Sequence, residues 1–214
     1  MKKVAVLIDA GFLKMVVKRT LTRHIKPEEV VVLAKNLIAP AKEELFRIFY
    51  YDAPPYNKTL RNPIDGIETD YSASALYKAV VSFHVELAEK QYVALRRGKL
   101  SFGGWRLTKN ALEKIKTGKY DKVSPKDLEP DFKQKAVDMN IGLDIAMLST
   151  KRIVDKVVLV TADNDFVPAM KFARKEGLHV AVVKFNDLEL TSDMKQHSDQ
   201  IIEINLPKIL EASV

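Results

Sequence analysis

The sequence predicts an α/β protein of three layers, a mainly parallel central sheet with helices on both faces. Three observations carry this expectation. The runs "KKVAVLID" (2–9), "KVVLVTA" (156–162) and "LHVAVVKF" (178–185) are continuously apolar rather than alternating, as strands buried on both faces are. Between such runs lie segments whose apolar residues recur at helical spacing. A length of 214 residues with 47% apolar content also suffices for one core with an insertion.

Taken in order, the first run ends in Asp9, a carboxylate at a strand terminus. "PEEVVVLAKNLIA" (27–39) has proline and acids in its first turn and reads as a helix. "ELFRIFYYDAPP" (44–55) is a strand stopped by Pro54 and Pro55. After a polar stretch, "DYSASALYKAVVSFHVELAEKQ" (70–91) is apolar at helical spacing over several turns. "KLSFGGWRLT" (99–108) suits an extra strand pair or an edge strand, its glycines making a turn or bulge. "QKAVDMNIGLDIAMLST" (134–150) is an amphipathic helix, with Met139 and Met147 expected to fill core. "DFVPAMKFARKEG" (165–177) is a helix with Asp165 as N-cap, Met170 in its core face and Gly177 at its stop. "QIIEIN" (200–205) is the last strand. The expected organisation is one domain over 1–206, a basic insertion at about 91–133 and a tail at 207–214.

Composition narrows the chemistry. There is no cysteine, which removes disulfides and thiolate sites and fits a reducing, cytoplasmic setting. Asp9 interrupts the first apolar run short of signal-peptide length, and no stretch approaches the length of a membrane span. The net charge of +7 is concentrated: residues 90–135 hold 13 Lys/Arg against 5 Asp/Glu. Such a stretch suits a polyanion, because cations placed on phosphates release condensed counterions. Arg96, Arg97, Lys99 and Arg106 flank Phe102 and Trp105, the mixture of cation and aromatic face that holds single-stranded RNA. Packing of Trp105 over a sheet edge is the competing reading. His24, His84, His179 and His197 are scattered, which argues against a histidine-centred mechanism, and no phosphate-binding glycine motif is present.

Open α/β sheets bind ligands beyond the carboxyl ends of their strands, so Asp9 and Asp163 are expected at one rim although 154 positions separate them. Asp163 and Asp165 can face the same side if the chain is still extended there. Asp138 starts the preceding helix and joins them. Asp144 lies about 9 Å farther along that helix and about 240° around it, and is peripheral. Converging carboxylates repel by about 4 kcal/mol per pair at 4 Å and an effective dielectric near 20, so a cation is called for. An all-oxygen set suits Mg²⁺ or Mn²⁺, with Lys135 contacting phosphate.

With these residues in place, the chain resembles the NYN domain family, the LabA-like branch of the PIN-like nucleases. The matching pieces are "VAVLIDAGFL" (4–13), "FYYDAPP" (49–55), "KAVDMNIGLDIAML" (135–148), "LVTADNDFVPAMKFARKEGLHVAVV" (159–183) and "SDMKQHSDQIIEI" (192–204). The resemblance implies a PIN-like α/β/α sandwich and a metal-dependent ribonuclease. It implies metal-binding and catalytic roles for Asp9, Asp138 and Asp163, with Asp165 close by, and leaves Asp144 and Asn164 at the periphery. Many members carry an asparagine a few residues after the first aspartate, where this chain has Phe12. A non-catalytic RNA-binding or regulatory module is therefore the alternative. A Toprim-like Mg²⁺ phosphotransfer enzyme ranks behind both, since it would pair the Asp-x-Asp with a glutamate where Asp9 stands. Self-association is left open.

Overall fold

The computed structural model describes residues 1–120, 122–186 and 188–211. In chain order the elements are β1 (Lys2–Asp9), α1 (Ala10–Leu21), α2 (Pro27–Asn36), β2 (Glu43–Asp52), β3 (Thr59–Arg61) and β4 (Glu68–Asp70). There follow α3 (Ala75–Ala88), β5 (Val93–Arg97), β6 (Lys99–Leu107), α4 (Lys109–Lys116), β7 (Leu128–Lys135) and α5 (Val137–Thr150). The chain ends with β8 (Lys156–Val160), α6 (Val167–Lys175), β9 (His179–Phe185), α7 (Ser192–Gln196), β10 (Gln200–Ile204) and α8 (Leu206–Glu211). It divides into two compact units, one of Met1–Asp52, Phe83–Gly98 and Ala136–Val214, the other of Ala53–Ser82 and Lys99–Lys135.

The first unit is built on a six-stranded sheet in the order β10-β9-β8-β1-β2-β5, parallel at every pairing. The continuous apolar runs are its central strands: β8 is buried throughout and β1 from Val4 to Ile8. Val4, Val6, Ile8, Ile48 and Tyr50 face a core completed by α1, α2 and α8. Phe49 and Tyr51 point to the opposite face, where Tyr51 meets α5. Helices thus cover both faces, as a sheet of parallel strands requires. Strand order reverses at β1, whose successors β2 and β8 lie on either side of it. That is the switch point at which such sheets bind ligands.

The second unit pairs β3 with β4 and, separately, β6 with β7, both antiparallel. The register of β6 shifts between Phe102 and Trp105, and Gly104 there has φ +117, a bulge only glycine takes without strain. "KLSFGGWRLT" is therefore half of a strand pair whose partner, β7, lies in the basic stretch.

Several expectations are corrected. Met139 is 66% exposed and fills no core, because it lies on the outer face of α5; Met170 is fully buried as expected. The turn before α6 is capped by Asp163, not Asp165: the Asp163 carboxylate accepts from the Asp165 backbone N–H at 2.9 Å. β8 ends at Val160, so the alternation of an extended chain does not reach Asp163 and Asp165. Residues 93–97, at the start of the basic stretch, form an edge strand of the central sheet. Residues 207–211, assigned to a tail, belong with Leu206 to α8, whose Leu206 and Leu210 are buried; 212–214 lie outside the described residues. Among the described residues no helix is long and apolar enough to cross a membrane.

Candidate metal-binding active site

Asp9 is both the last residue of β1 and the N-cap of α1. Its Oδ1 accepts from the backbone N–H of Gly11 at 2.9 Å and of Phe12 at 3.4 Å, satisfying two orphan donors of the first turn. Capping occupies one carboxylate oxygen. The other, Oδ2, has the Thr161 hydroxyl at 3.4 Å, and the same hydroxyl accepts from the Asp163 backbone N–H at 3.2 Å. Two hydrogen bonds through one buried threonine therefore join the ends of adjacent strands β1 and β8. Asp9 and Asp163 meet at the rim as the topology predicts, and Thr161, only 3% exposed, is the residue that sequence reasoning passed over. Its signal was its place at the end of an apolar run, two residues before an aspartate.

Asp138, in the first turn of α5, is brought into the same electrostatic neighbourhood. Partial loss of hydration raises its carboxyl above the ordinary value, and the charges of Asp163 and Asp165 raise it further. Asp9 is raised mainly by burial, with Asp138 adding to the effect and the bonds from Phe12, Gly11 and Thr161 opposing it. Asp138 is thus the acid that feels both Asp9 on one side and Asp163 and Asp165 on the other. Asn164, between Asp163 and Asp165, accepts a hydrogen bond from the Thr191 hydroxyl, fastening the site loop to the N-cap of α7.

The donor set is all oxygen and carries excess negative charge, which fits a hard dication. Among the described residues, no three carboxylate or histidine side chains stand close enough to chelate one ion.

A second polar cluster, unforeseen, lies at the end of β2. Asp52, 4% exposed, accepts from Lys14 of α1 and is hydrogen-bonded to His84 Nε2 of α3 at 2.7 Å. Burial raises its carboxyl, but the His84 bond and the Lys14 charge prevail and hold it below its usual value. Tyr50, fully buried on the same strand, has no hydrogen-bond partner for its hydroxyl among the described residues. Its phenol is raised by burial first and then by the charges of Asp52 and Asp9.

The remaining expected site residues are placed as follows. Asp144 accepts from the Tyr51 hydroxyl at 2.9 Å and from Arg96 Nε at 2.8 Å, so it ties α5 to β2 and β5. Arg96, expected to bind nucleic acid, is committed to that bond and to the face of Phe49, with its guanidinium 5.1 Å from the ring centroid. Arg106 is likewise paired, with Glu129 at 2.9 Å and Asp131 at 3.7 Å. Trp105 sits edge-on against Phe102 at 5.9 Å within its own strand. Arg97, Lys99 and Lys135 are exposed and make no ion pair among the described residues. Phe12 packs at 5.7 Å against Phe185.

The family model of the NYN domain matches residues 3–205. A crystal structure of a protein of unknown function from Vibrio parahaemolyticus has a similar fold. Its TM-score is 0.51 at 14% sequence identity, over 95% of this chain and 93% of that one. No curated protein matches the chain.

Proposed function

The chain belongs to the NYN domain family, whose fold is of the PIN-like nuclease type, and from that premise we propose a metal-dependent ribonuclease. The observation that carries the proposal is the meeting of Asp9 and Asp163 through Thr161 at the carboxyl ends of neighbouring strands. In this reading Asp9 and Asp163 hold a Mg²⁺ or Mn²⁺ ion, while Asp138 and Asp165 supply further negative charge and bind its water ligands. When bound, the ion would polarise the phosphodiester and lower the pKa of an attacking water. Asp9 serves through Oδ2, since Oδ1 is engaged in capping; Thr161 sets its position relative to Asp163. Arg97, exposed on β5 of the same unit, is the cation we assign to substrate phosphates.

The test is cleavage of an end-labelled single-stranded RNA in Mn²⁺. Asp9→Asn and Asp163→Asn should each abolish it, and EDTA should abolish it in the wild type. Cleavage surviving in both variants and in EDTA refutes the proposal. A non-catalytic RNA-binding module is the second reading, favoured by the packing of Phe12 on Phe185, which leaves no polar side chain at that position to orient a substrate. RNA binding without cleavage across several sequences would select it.

Gly11 gives an independent probe. A Cβ at this position would lie 3.3 Å from Asp9 Oδ1, a closer contact than side chains ordinarily make. Alanine is favoured over glycine in a helix by up to about 1 kcal/mol. Gly11→Ala should therefore melt within a few degrees of wild type, the helix preference offsetting a weakened Asp9 cap, while its Mn²⁺ affinity, followed by titration, falls severalfold. An unchanged affinity would mean that the Asp9 carboxylate position does not govern ion binding.

A further inference from the structure

Within the second unit, the side chains of Tyr56, Tyr71, Phe102 and Phe132 form an aromatic cluster, closest where Tyr56 and Phe132 stand 4.8 Å apart. One flank of this cluster is open. A cleft of about 390 Å³ lies there, walled by Pro54, Pro55, Tyr56, Tyr77 and Phe102, with Lys58 and Lys99 at its polar positions. No carboxylate lines it, and Asn57 and Ser101 offer amide and hydroxyl groups that have no hydrogen-bond partner among the described residues.

The charges around it are arranged at a cost. In the β6/β7 ladder Lys99 lies directly opposite Lys135, and like charges in that position destabilise an antiparallel pair. Neither lysine, nor Lys58, ion-pairs with a carboxylate among the described residues, although Arg106, Lys114 and Lys133 of the same unit all do. Three unneutralised lysines beside an aromatic wall are a site that lacks its anion. The apolar faces exclude a bare phosphate as sufficient occupant, and the lysines exclude an apolar ligand. A cleft at the small end of the usual range for ligand pockets holds one planar base with its sugar.

We propose that this cleft binds one nucleotide of a single-stranded RNA, with the base against Tyr56 and Tyr77 and the flanking phosphates on Lys58 and Lys99. It deepens the ribonuclease reading, on which the choice of RNA rests. It moves substrate recognition away from Arg96 and Arg106, whose charges are already spent. Stacking of this kind accepts any base, because every base has a π-face, so the cleft selects for unpaired strands rather than for sequence.

The experiment measures binding of a fluorescein-labelled, unstructured 12-nucleotide RNA by anisotropy in EDTA, where no cleavage occurs. The double variant Lys58→Glu, Lys99→Glu changes only exposed side chains. It should bind at least tenfold more weakly, with the slope of log K against log salt reduced by about 1.4, two single-strand phosphate contacts. Tyr77→Ala should weaken binding at least fivefold with the salt slope unchanged, and Tyr77→Phe should bind as wild type. Melting temperatures in EDTA confirm that each variant is folded. Wild-type affinity in the double variant, or equal losses in Tyr77→Ala and Tyr77→Phe, overturns the cleft. The two readings separate cleanly. If wild type does not cleave RNA, or Asp9→Asn and Asp163→Asn cleave it as wild type does, the metal-dependent ribonuclease at the acidic site falls while these binding results stand; if those variants are inactive but the lysine variant binds normally, only the cleft falls.

Discussion

Asp138→Asn should lower RNA cleavage by about 10–100-fold while leaving the metal-free protein at least as heat-stable as wild type at neutral pH. The loss is that of a residue proposed to hold the ion's water ligands rather than the ion itself, each 1.4 kcal/mol being about tenfold in rate. The stability follows from the acids themselves. Asp138 and Asp9 both have carboxyls raised above the ordinary value of 3.8, and each is raised in part by a neighbouring acid. A group whose pKa is higher folded than unfolded binds its proton more tightly in the native state. Its contribution is complete below 3.8 and is lost as pH rises through the raised value, leaving repelling charges at pH 7. The amide removes one of those charges. Against this, a first-turn acid interacts favourably with the helix terminus, by about 0.3–1 kcal/mol, and exposure of Asp138 screens both effects. Melting in EDTA at pH 3.5 and pH 7 should therefore show the variant gaining on wild type as pH rises. Saturating Mn²⁺ should narrow or reverse the difference, since the wild type, with one more negative charge facing the ion, gains more free energy of binding. A variant that melts lower at pH 7 in EDTA, or keeps half or more of the activity, would contradict the assignment.

This conflict between stability and function explains why the acids were easy to read in the sequence. A carboxylate at the end of an apolar run has no packing reason to be there, so Asp9 and Asp163 stood out, and parallel-sheet topology placed them together. The central strands were legible for the same reason: a strand buried on both faces needs an unbroken apolar run. What escaped notice depended on contacts between distant residues. Asp9 hid the start of α1, because a residue that ends a strand and caps a helix belongs to both patterns. β5 was obscured by Arg96 and Arg97, whose charges suggested a surface loop although Arg96 is bonded to Asp144, 48 positions away. Thr161 reads as an ordinary strand residue until its hydroxyl is seen between two acids. Met139 was misassigned because the turn of α5 that carries it faces outward, a matter of which neighbours surround the helix rather than of its own periodicity.

Asp52→Ala should destabilise the protein by about 3 kcal/mol, lowering the melting temperature by about 6–12 °C. Asp52 gathers a lysine from α1 and a histidine from α3 onto the end of β2, and all the charge and hydrogen-bonding capacity of the cluster passes through its carboxylate. Removing one member of a buried pair leaves the rest uncompensated, at about 3–5 kcal/mol. His84, at 3% exposure, cannot find water instead, whereas the Lys14 side chain is about one-third exposed and recovers part of its hydration, which places the cost at the lower end. Asp52→Asn keeps one hydrogen bond to His84 and should cost less. The pH dependence has a definite sign. The Asp52 carboxyl is held below 3.8, so its contribution is present above that value and is lost as pH falls through the depressed folded value. The gap between wild type and variant in thermal melts should be full at pH 6 and narrow steadily under pH 4. Asp52 also has consequences for the acidic site, because Lys14 lies on the helix that Asp9 caps, so its bond to Lys14 holds the first turns of α1 against β2. Asp52 touches no reacting group in the proposed mechanism, so cleavage well below the melting temperature should fall less than tenfold, in contrast to the loss expected from Asp9→Asn. A loss in Asp52→Ala as deep as in Asp9→Asn, with the fold intact, would move Asp52 from a positioning residue to a ligand of the ion, and a melting shift under 2 °C would show that Lys14 and His84 find other partners.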